Sequence, residues 1–276
     1  MSEADSAAVA SFEAKWSQAY PEFGLALRFA HGETRAAQGA FSCLVFEIEH
    51  AAFGIREAQP AAIKLQWWAE EFSRVAKGEA RHPLTQALAA RAALGSVPLS
   101  LWQQVIVGAL AQRDVEPAPD AATLIAGIAR LHEPLGAIDA MLFGTNAETV
   151  SGALAIVRAL RETAALPDAL RDGKLPLPLD LLARHRLARG DLAAASAARA
   201  EALREWLATL ARELSETAPS PASLGVVFAA IAAADARRAR EASRADDPLA
   251  ALRTGFARLS FPVLWSAWRA ARRSRT

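Results

Sequence analysis

Hydrophobic residues recur along this chain at helical spacing. Val9, Phe12, Trp16 and Ala19 fall at intervals of three and four, which predicts a first helix with one apolar face, stopped by Pro21. A short helix over residues 23–30 follows. From Glu33 the stripe Phe41, Leu44, Val45, Ile48, Ala52 and Ile55 predicts one long, continuous helix. Pro60 fits the first turn of the next helix. There Leu65, Trp68, Phe72 and Val75 are expected to face inward, and Glu70, Glu71, Arg74 and Lys77 to face water, up to a stop at Gly78. Further helices are expected over 98–113, over 121–144 with Asp120 as cap and Pro134 as a kink, and over 147–165. Gly173, Pro176 and Pro178 make 171–178 a loop. Asp191 is the expected cap of a long helix whose Leu203, Leu207, Leu210 and Leu214 share a face. Residues 217–223 turn the chain, 223–240 are helical, and Asp246 opens a last helix. Strand-like alternation, internal repeats and low-complexity linkers are absent. The expectation is an all-α bundle in one domain over 1–276, with an N-terminal helix over 1–22 and a basic tail over 258–276.

Composition supports that reading. Alanine, leucine, arginine and glutamate dominate, and such residues lose little rotamer freedom in a helix. Hydrophobic residues make up 53% of the chain, enough to fill a sizeable core. The 31 Lys+Arg nearly balance 30 Asp+Glu, so no global field exists to recruit nucleic acid, and none is expected as a partner. Cys43 is the lone cysteine, which precludes an internal disulfide and suits a reducing, cytoplasmic setting. The acidic N-terminal stretch lacks a basic region before an apolar one, so it is not expected to be a signal peptide. The uncharged runs 92–112 and 217–234 are interrupted by proline, and 92–112 also by glutamine and glycine. They are expected to be core helices, not membrane spans.

Three blocks carry more specific information. Residues 41–88 hold LVF at 44–46 and IKLQWW at 63–68; residues 131–144 read LHEPLGAIDAMLFG; residues 173–187 read GKLPLPLDLLARHRL. In this order they resemble the squalene/phytoene synthase family, the head-to-head prenyl-diphosphate synthases. The resemblance implies an all-α isoprenoid-synthase bundle with a central cavity. It also implies two aspartate-rich motifs on facing helices, whose carboxylates hold Mg²⁺ ions that in turn hold a diphosphate. A departing diphosphate needs its charge neutralised, and Mg²⁺ takes hard oxygen ligands. Carried across from the LVF anchor, the first motif falls on Ala51, Ala52 and Ile55. Carried back from LPLDLL, the second falls on Ala165 and Ala169, with Asp168 between them and Pro167 inside the motif. The family's tyrosine on the helix of the second block has no counterpart, because the single tyrosine is Tyr20. No metal ligand or catalytic residue is therefore assigned, and no cofactor is expected; Mg²⁺ enters only under the alternative reading.

This degenerate pattern resembles a branch of the family that includes bacterial relatives of a mitochondrial complex I assembly factor. By that resemblance the protein would be non-catalytic. It would bind a prenyl-type lipid or a partner protein at the inner membrane face, with a role in respiratory-complex assembly. The alternative is a working Mg²⁺-dependent prenyltransferase that condenses two prenyl diphosphates. Residues expected at the cavity or its rim are Ile48, Glu57, Trp67, Trp68, Glu162 and Asp168. One of the two tryptophans is expected to be core.

Other candidates have plainer readings. Glu47 and Glu49 are two apart and point about 200° from each other, so they cannot chelate one ion together; solvated or partner-paired roles are expected. Glu133 and Asp139, six apart, fit 3.6 residues per turn poorly. The histidines His31, His50, His82, His132 and His185 have no metal-binding spacing and are expected in caps, loops or at the surface. Cys43 falls in the buried stripe. No phosphate-binding glycine loop and no nucleophile elbow occurs. The tail combines Trp265 and Trp268 with Arg269, Arg272, Arg273 and Arg275, a composition that suits peripheral contact with anionic lipid.

Overall fold

The stripe from Phe41 to Ala52 is the axis of the molecule: Phe41, Leu44, Val45, Ile48, Ala51 and Ala52 are all buried. The computed structural model describes residues 3–30, 32–89, 91–113, 116–218 and 220–273, so His31 and Arg275 lie outside the described residues. In chain order the helices are α1 (Glu3–Ala19), α2 (Pro21–Ala26), α3 (Gly32–Glu49), α4 (Ala58–Val75), α5 (Pro83–Ala89), α6 (Leu99–Ala111), α7 (Ala121–Phe143), α8 (Ala147–Ala164), α9 (Leu166–Arg171), α10 (Leu179–Arg184), α11 (Ala197–Thr217), α12 (Gly225–Ala242), α13 (Pro248–Ala257) and α14 (Phe261–Arg273). Among the described residues there is no strand.

Helix α3 is flanked by α1 and α5. Helices α6, α7 and α8 pack in succession, and α12 touches α2, α8, α11, α13 and α14. Two glycines allow the closest approaches. A Cβ on Gly108 of α6 would meet the Arg130 carbonyl at 2.5 Å, and one on Gly136 of α7 would meet the Ala147 carbonyl at 2.5 Å, so backbone touches backbone at both crossings. Gly144, at φ +73°, ends α7, and Asn146 caps α8 by accepting from the Thr149 N–H at 2.8 Å.

Several boundaries depart from the pattern-based expectation. Asp120 does cap α7, accepting from the Thr123 N–H at 2.7 Å, and Pro134 sits within an unbroken helical span. The expected long helix from Glu33 instead ends as α-helix at Glu49 and passes into a π-helical turn, His50–Gly54. Gly54 leaves room there for the His50 ring, which a Cβ would approach to 2.4 Å in this rotamer. Asp191 does not cap the long leucine helix. It closes a short 3₁₀ turn by accepting from the Ala188 N–H at 2.7 Å, while Ser196 caps α11 through the Arg199 N–H at 3.1 Å. The expected last helix is two, α13 and α14, parted at 258–260.

Glu71, expected to face water, is wholly buried. It accepts from the Arg81 and His82 N–H groups, both at 2.8 Å, and from Arg74 Nε at 2.9 Å. The apolar runs expected in the core are α6 and α12, with Trp102, Val105, Ala109 and most of α12 buried. No single helix among the described residues is long and apolar enough to cross a membrane, although the bent pair Ala197–Thr217 and Pro221–Ala242 meets that test by length and composition.

Candidate functional site

The end of α3 brings one acid into the interior. Glu49 accepts a 2.8 Å bond from His132 Nε2 of α7, and its other oxygen lies 3.5 Å from the Tyr20 hydroxyl and 4.0 Å from Arg158 of α8. His132 Nδ1 lies 3.1 Å from the Ile128 carbonyl, so both ring nitrogens face acceptors. Burial pushes the Glu49 carboxyl up, but the His132 bond and the Arg158 and Arg161 charges outweigh it and hold the group below the ordinary carboxylate range. His132 is thus not the surface or loop residue the sequence suggested; it is fully buried. Tyr20 is buried too, under the Arg161 guanidinium at 3.9 Å, and burial pushes its hydroxyl up to about 12.

Glu47, one turn face away, serves a different cluster. It is bonded to Lys15, to Lys64 at 2.6 Å and to Trp16 Nε1 at 3.0 Å. Both acids are therefore partner-paired, and neither is solvated.

The π turn puts Ala51 and Ala52 in the core and leaves Ile55 half-buried. Its free carbonyls are claimed by Arg113, which follows α6 and donates to the Ala52 and Ile55 oxygens and to the Arg56 oxygen at 2.9 Å. Facing it, α8 ends at Ala164, and α9 begins with Pro167 in its first turn, so the helix breaks inside the second motif. Ala165 sits at that break and Ala169 is buried.

The two segments do meet. Arg56 reaches from the link after the π turn to Asp168 at 3.1 Å and to Asp172 at 3.2 Å. Arg158 lies 4.3 Å over the Phe53 ring and is paired with Glu162. Beside them is a cavity of roughly 350 Å³ lined by Phe53, Gln112, Leu124, Ile128, Glu162 and Leu175.

The squalene/phytoene synthase family matches residues 17–269. The chain belongs to that family. Among solved structures it is similar to a dehydrosqualene synthase in complex with ligand, at 11% identity over 98% of this chain and 97% of that one, with a TM-score of 0.71. It is also similar to the squalene synthase HpnC from Alicyclobacillus acidocaldarius, at 16% identity over 94% and 98%, with a TM-score of 0.62. At such identities the likeness speaks for the fold, which is the all-α fold the sequence led us to expect. No curated protein gives a significant match.

The residues expected to match the two family motifs do not make a donor set for Mg²⁺. The ion needs several oxygen ligands at about 2.0–2.1 Å in an octahedral shell. Ala51, Ala52, Ile55, Ala165 and Ala169 offer no side-chain oxygen, and the nearest carboxylates, Glu49, Glu162, Asp168 and Asp172, each face an arginine. Among the described residues no group of three or more His, Cys, Asp or Glu is arranged to hold a metal.

The residues expected at the rim are scattered. Glu162 lines the cavity, and Asp168 is half-exposed beside Arg56. Ile48 and Trp68 are core, and Glu57 is exposed at the start of α4. Trp67, 40% exposed, lines a separate surface groove with Phe12, Ile63, Lys64 and His82. Sequence reasoning did not single out Asp172 or the arginines. Asp172 lies four residues after Asp168, an i,i+4 spacing that was a readable signal. Arg158 and Glu162 have the same i,i+4 spacing on α8, whereas Arg56 and Arg113 gave no signal, since each acts on segments far away in sequence.

Proposed function

We propose that this squalene/phytoene synthase-family protein binds a prenyl-type lipid without condensing prenyl diphosphates. The observation that carries the reading is the set of arginine–carboxylate pairs where the two motif segments meet. Arg56 occupies Asp168 and Asp172, Arg158 occupies Glu162 and approaches Glu49, and the first-motif positions have no oxygen to offer. A guanidinium is a fixed cation that makes directional hydrogen bonds. It cannot supply the octahedral shell through which Mg²⁺ polarises a leaving diphosphate. A cavity of roughly 350 Å³ is at the small end of the range for one ligand, about 300–1,000 Å³. That volume favours one prenyl chain over two.

Isothermal titration should show farnesyl diphosphate binding that is unchanged by Mg²⁺, and labelled farnesyl diphosphate should yield no condensed product. Micromolar binding that requires Mg²⁺ and vanishes in Asp168→Asn/Asp172→Asn would overturn the reading and favour the alternative, a working prenyltransferase.

A protein partner is the second reading, favoured by the groove at Ile63 and Trp67, which are 60% and 40% exposed side by side on α4. An apolar patch of this kind marks interaction surfaces. The resemblance of this branch to an assembly factor would make the partner a respiratory-complex component at the inner membrane face. A photocrosslinker placed at position 67 should then label one protein in isolated membranes, and Ile63→Asp should abolish the label. Labelling that persists in Ile63→Asp would count against this groove.

A further inference from the structure

Helix α14 presents two different faces. Val263, Ala267, Ala270 and Ala271 are buried against the bundle, while Phe261 is 76% and Trp265 48% exposed. These two rings continue into a ladder with Trp268, which is half-buried against Phe29. Phe261 and Trp265 are stacked at 6.3 Å, Trp265 and Trp268 at 4.8 Å, and Arg272 lies 5.4 Å over Trp268. Between this ladder and α12 runs an open groove of roughly 790 Å³. Its floor is made of small apolar residues, among them Ala229, Ala232, Ala233 and Ala236. Its rim carries Arg237, Arg240, Arg269 and Arg273, and among the described residues no acidic one lines it.

The charge around the groove is equally one-sided. After Asp247 the chain contains six arginines and no Asp or Glu, although the protein as a whole is nearly neutral. Arg237 is engaged by Glu241, which does not line the groove, and Arg240 reaches the Ser215 hydroxyl at 3.5 Å. An apolar trough under a cationic rim complements an amphiphile with an anionic head. Exposed tryptophan and phenylalanine beside arginine are suited to the headgroup layer of a bilayer.

We propose that the α12–α14 groove docks the protein on an anionic phospholipid surface. The arginine rim meets lipid phosphates, Phe261 and Trp265 enter the interface, and the alanine floor covers acyl chain. This inference is independent of whether the metal site is lost, and its test needs neither metal nor prenyl diphosphate. An acidic protein surface is the competing occupant and is read out in the same test.

The full chain is sedimented with vesicles of phosphatidylcholine alone or with about one-third phosphatidylglycerol. Binding is expected to the anionic vesicles only, and to fall steeply with added salt as surface charges are screened. Each rim arginine contributes about fivefold, so Arg240→Gln/Arg269→Gln should weaken binding roughly 25-fold. Phe261→Ser/Trp265→Ser should weaken it also, with a melting temperature lowered by only a few degrees, because Phe261 is exposed and Trp265 half-exposed. Arg253→Gln/Arg258→Gln removes equal charge outside the groove and should have a much smaller effect. Inorganic phosphate at millimolar concentration separates headgroup from free ion: full displacement by phosphate means an ion site without lipid insertion and overturns the proposal. Equal binding to neutral vesicles, no vesicle binding, or equal losses from the two arginine pairs would overturn it as well. Failure on vesicles together with binding to a polyglutamate column would assign the groove to an acidic protein.

Discussion

Replacing Arg238 by methionine should destabilise the protein by about 3–5 kcal/mol, the usual cost of leaving a buried charge without its partner. Arg238 is buried between Glu22 of α2 and Asp235 of α12. It grips Glu22 with two parallel bonds of 3.0 Å and also donates to Asp235 and, from Nε, to the Gly255 carbonyl at 3.0 Å. Arg161 of α8 completes the cluster at 2.9 Å from Asp235 and 3.3 Å from Glu22. Two acids thus face two arginines, and α2, α8 and α12 are tied together. Removing one arginine leaves two carboxylates against one guanidinium in a site closed to water. A domain has only about 5–15 kcal/mol of net stability, and each kcal/mol moves a melting point by about 2–4 °C at this size. A drop of roughly 6–20 °C is expected in a thermal melt. Glu22→Leu/Arg238→Met restores the balance of one acid to one arginine and should recover much of the loss, since hydrophobic replacement of a whole pair is often neutral. A single variant that melts within about 1 kcal/mol of the parent would show that the cluster is hydrated, and would remove the argument.

The helical core was readable because it depends on local periodicity. Phe41, Leu44, Val45 and Ile48 form a stripe at helical spacing, and that spacing alone places them inward. Asp120 was readable for the same reason, since a cap acts three residues away. The π turn at His50–Gly54 was not, because it adds one residue to a turn without changing the apolar pattern. Its only local trace is Gly54, whose missing Cβ makes room for His50. Ser196 outcompeted Asp191 as a cap because Asp191 was already used by the Ala188 N–H.

Buried polar residues were the least legible. Glu71 fell on the solvent face by period, yet the link at 81–82 and the first turn of α5 fold over it and supply its donors. His132 finds its carboxylate 83 positions away, and Arg56 finds Asp168 112 positions away. At the positions expected to match the family motifs the sequence offers alanine and isoleucine in place of carboxylates. It could not show that arginines had joined the two segments in their place.

Substituting Asp139 by asparagine should remove much of the alkaline decline in stability, with the remainder left to Asp235, which burial also raises. Asp139 is buried in α7, where its carboxyl accepts from the Thr145 hydroxyl, and among the described residues no cation is paired with it. Burial pushes it up to about 7, against an ordinary value of 3.8, and the Thr145 bond offsets this only in part. A folded-state value above the unfolded one means that the folded protein holds the proton more tightly. The resulting stability is complete below the unfolded value near pH 4 and is lost as pH rises through about 7. Roughly three units at 1.36 kcal/mol each set an upper bound near 4 kcal/mol for that loss. Glu22, Glu47, Glu49 and Glu71 act with the opposite sign. Their values are lowered, so their contributions are present above the unfolded carboxylate value and fade as pH falls. The two trends place the stability maximum on the acidic side of neutrality, at about pH 5–6. Urea unfolding of the parent should therefore weaken by a few kcal/mol between about pH 5 and pH 8. In Asp139→Asn the amide still accepts from Thr145 but buries an N–H₂ without a partner, a cost of about 1–3 kcal/mol. The variant should be the weaker protein at about pH 5, show a smaller decline above pH 6, and equal or exceed the parent at about pH 8. Parallel pH curves for the two proteins would place the alkaline loss on another group.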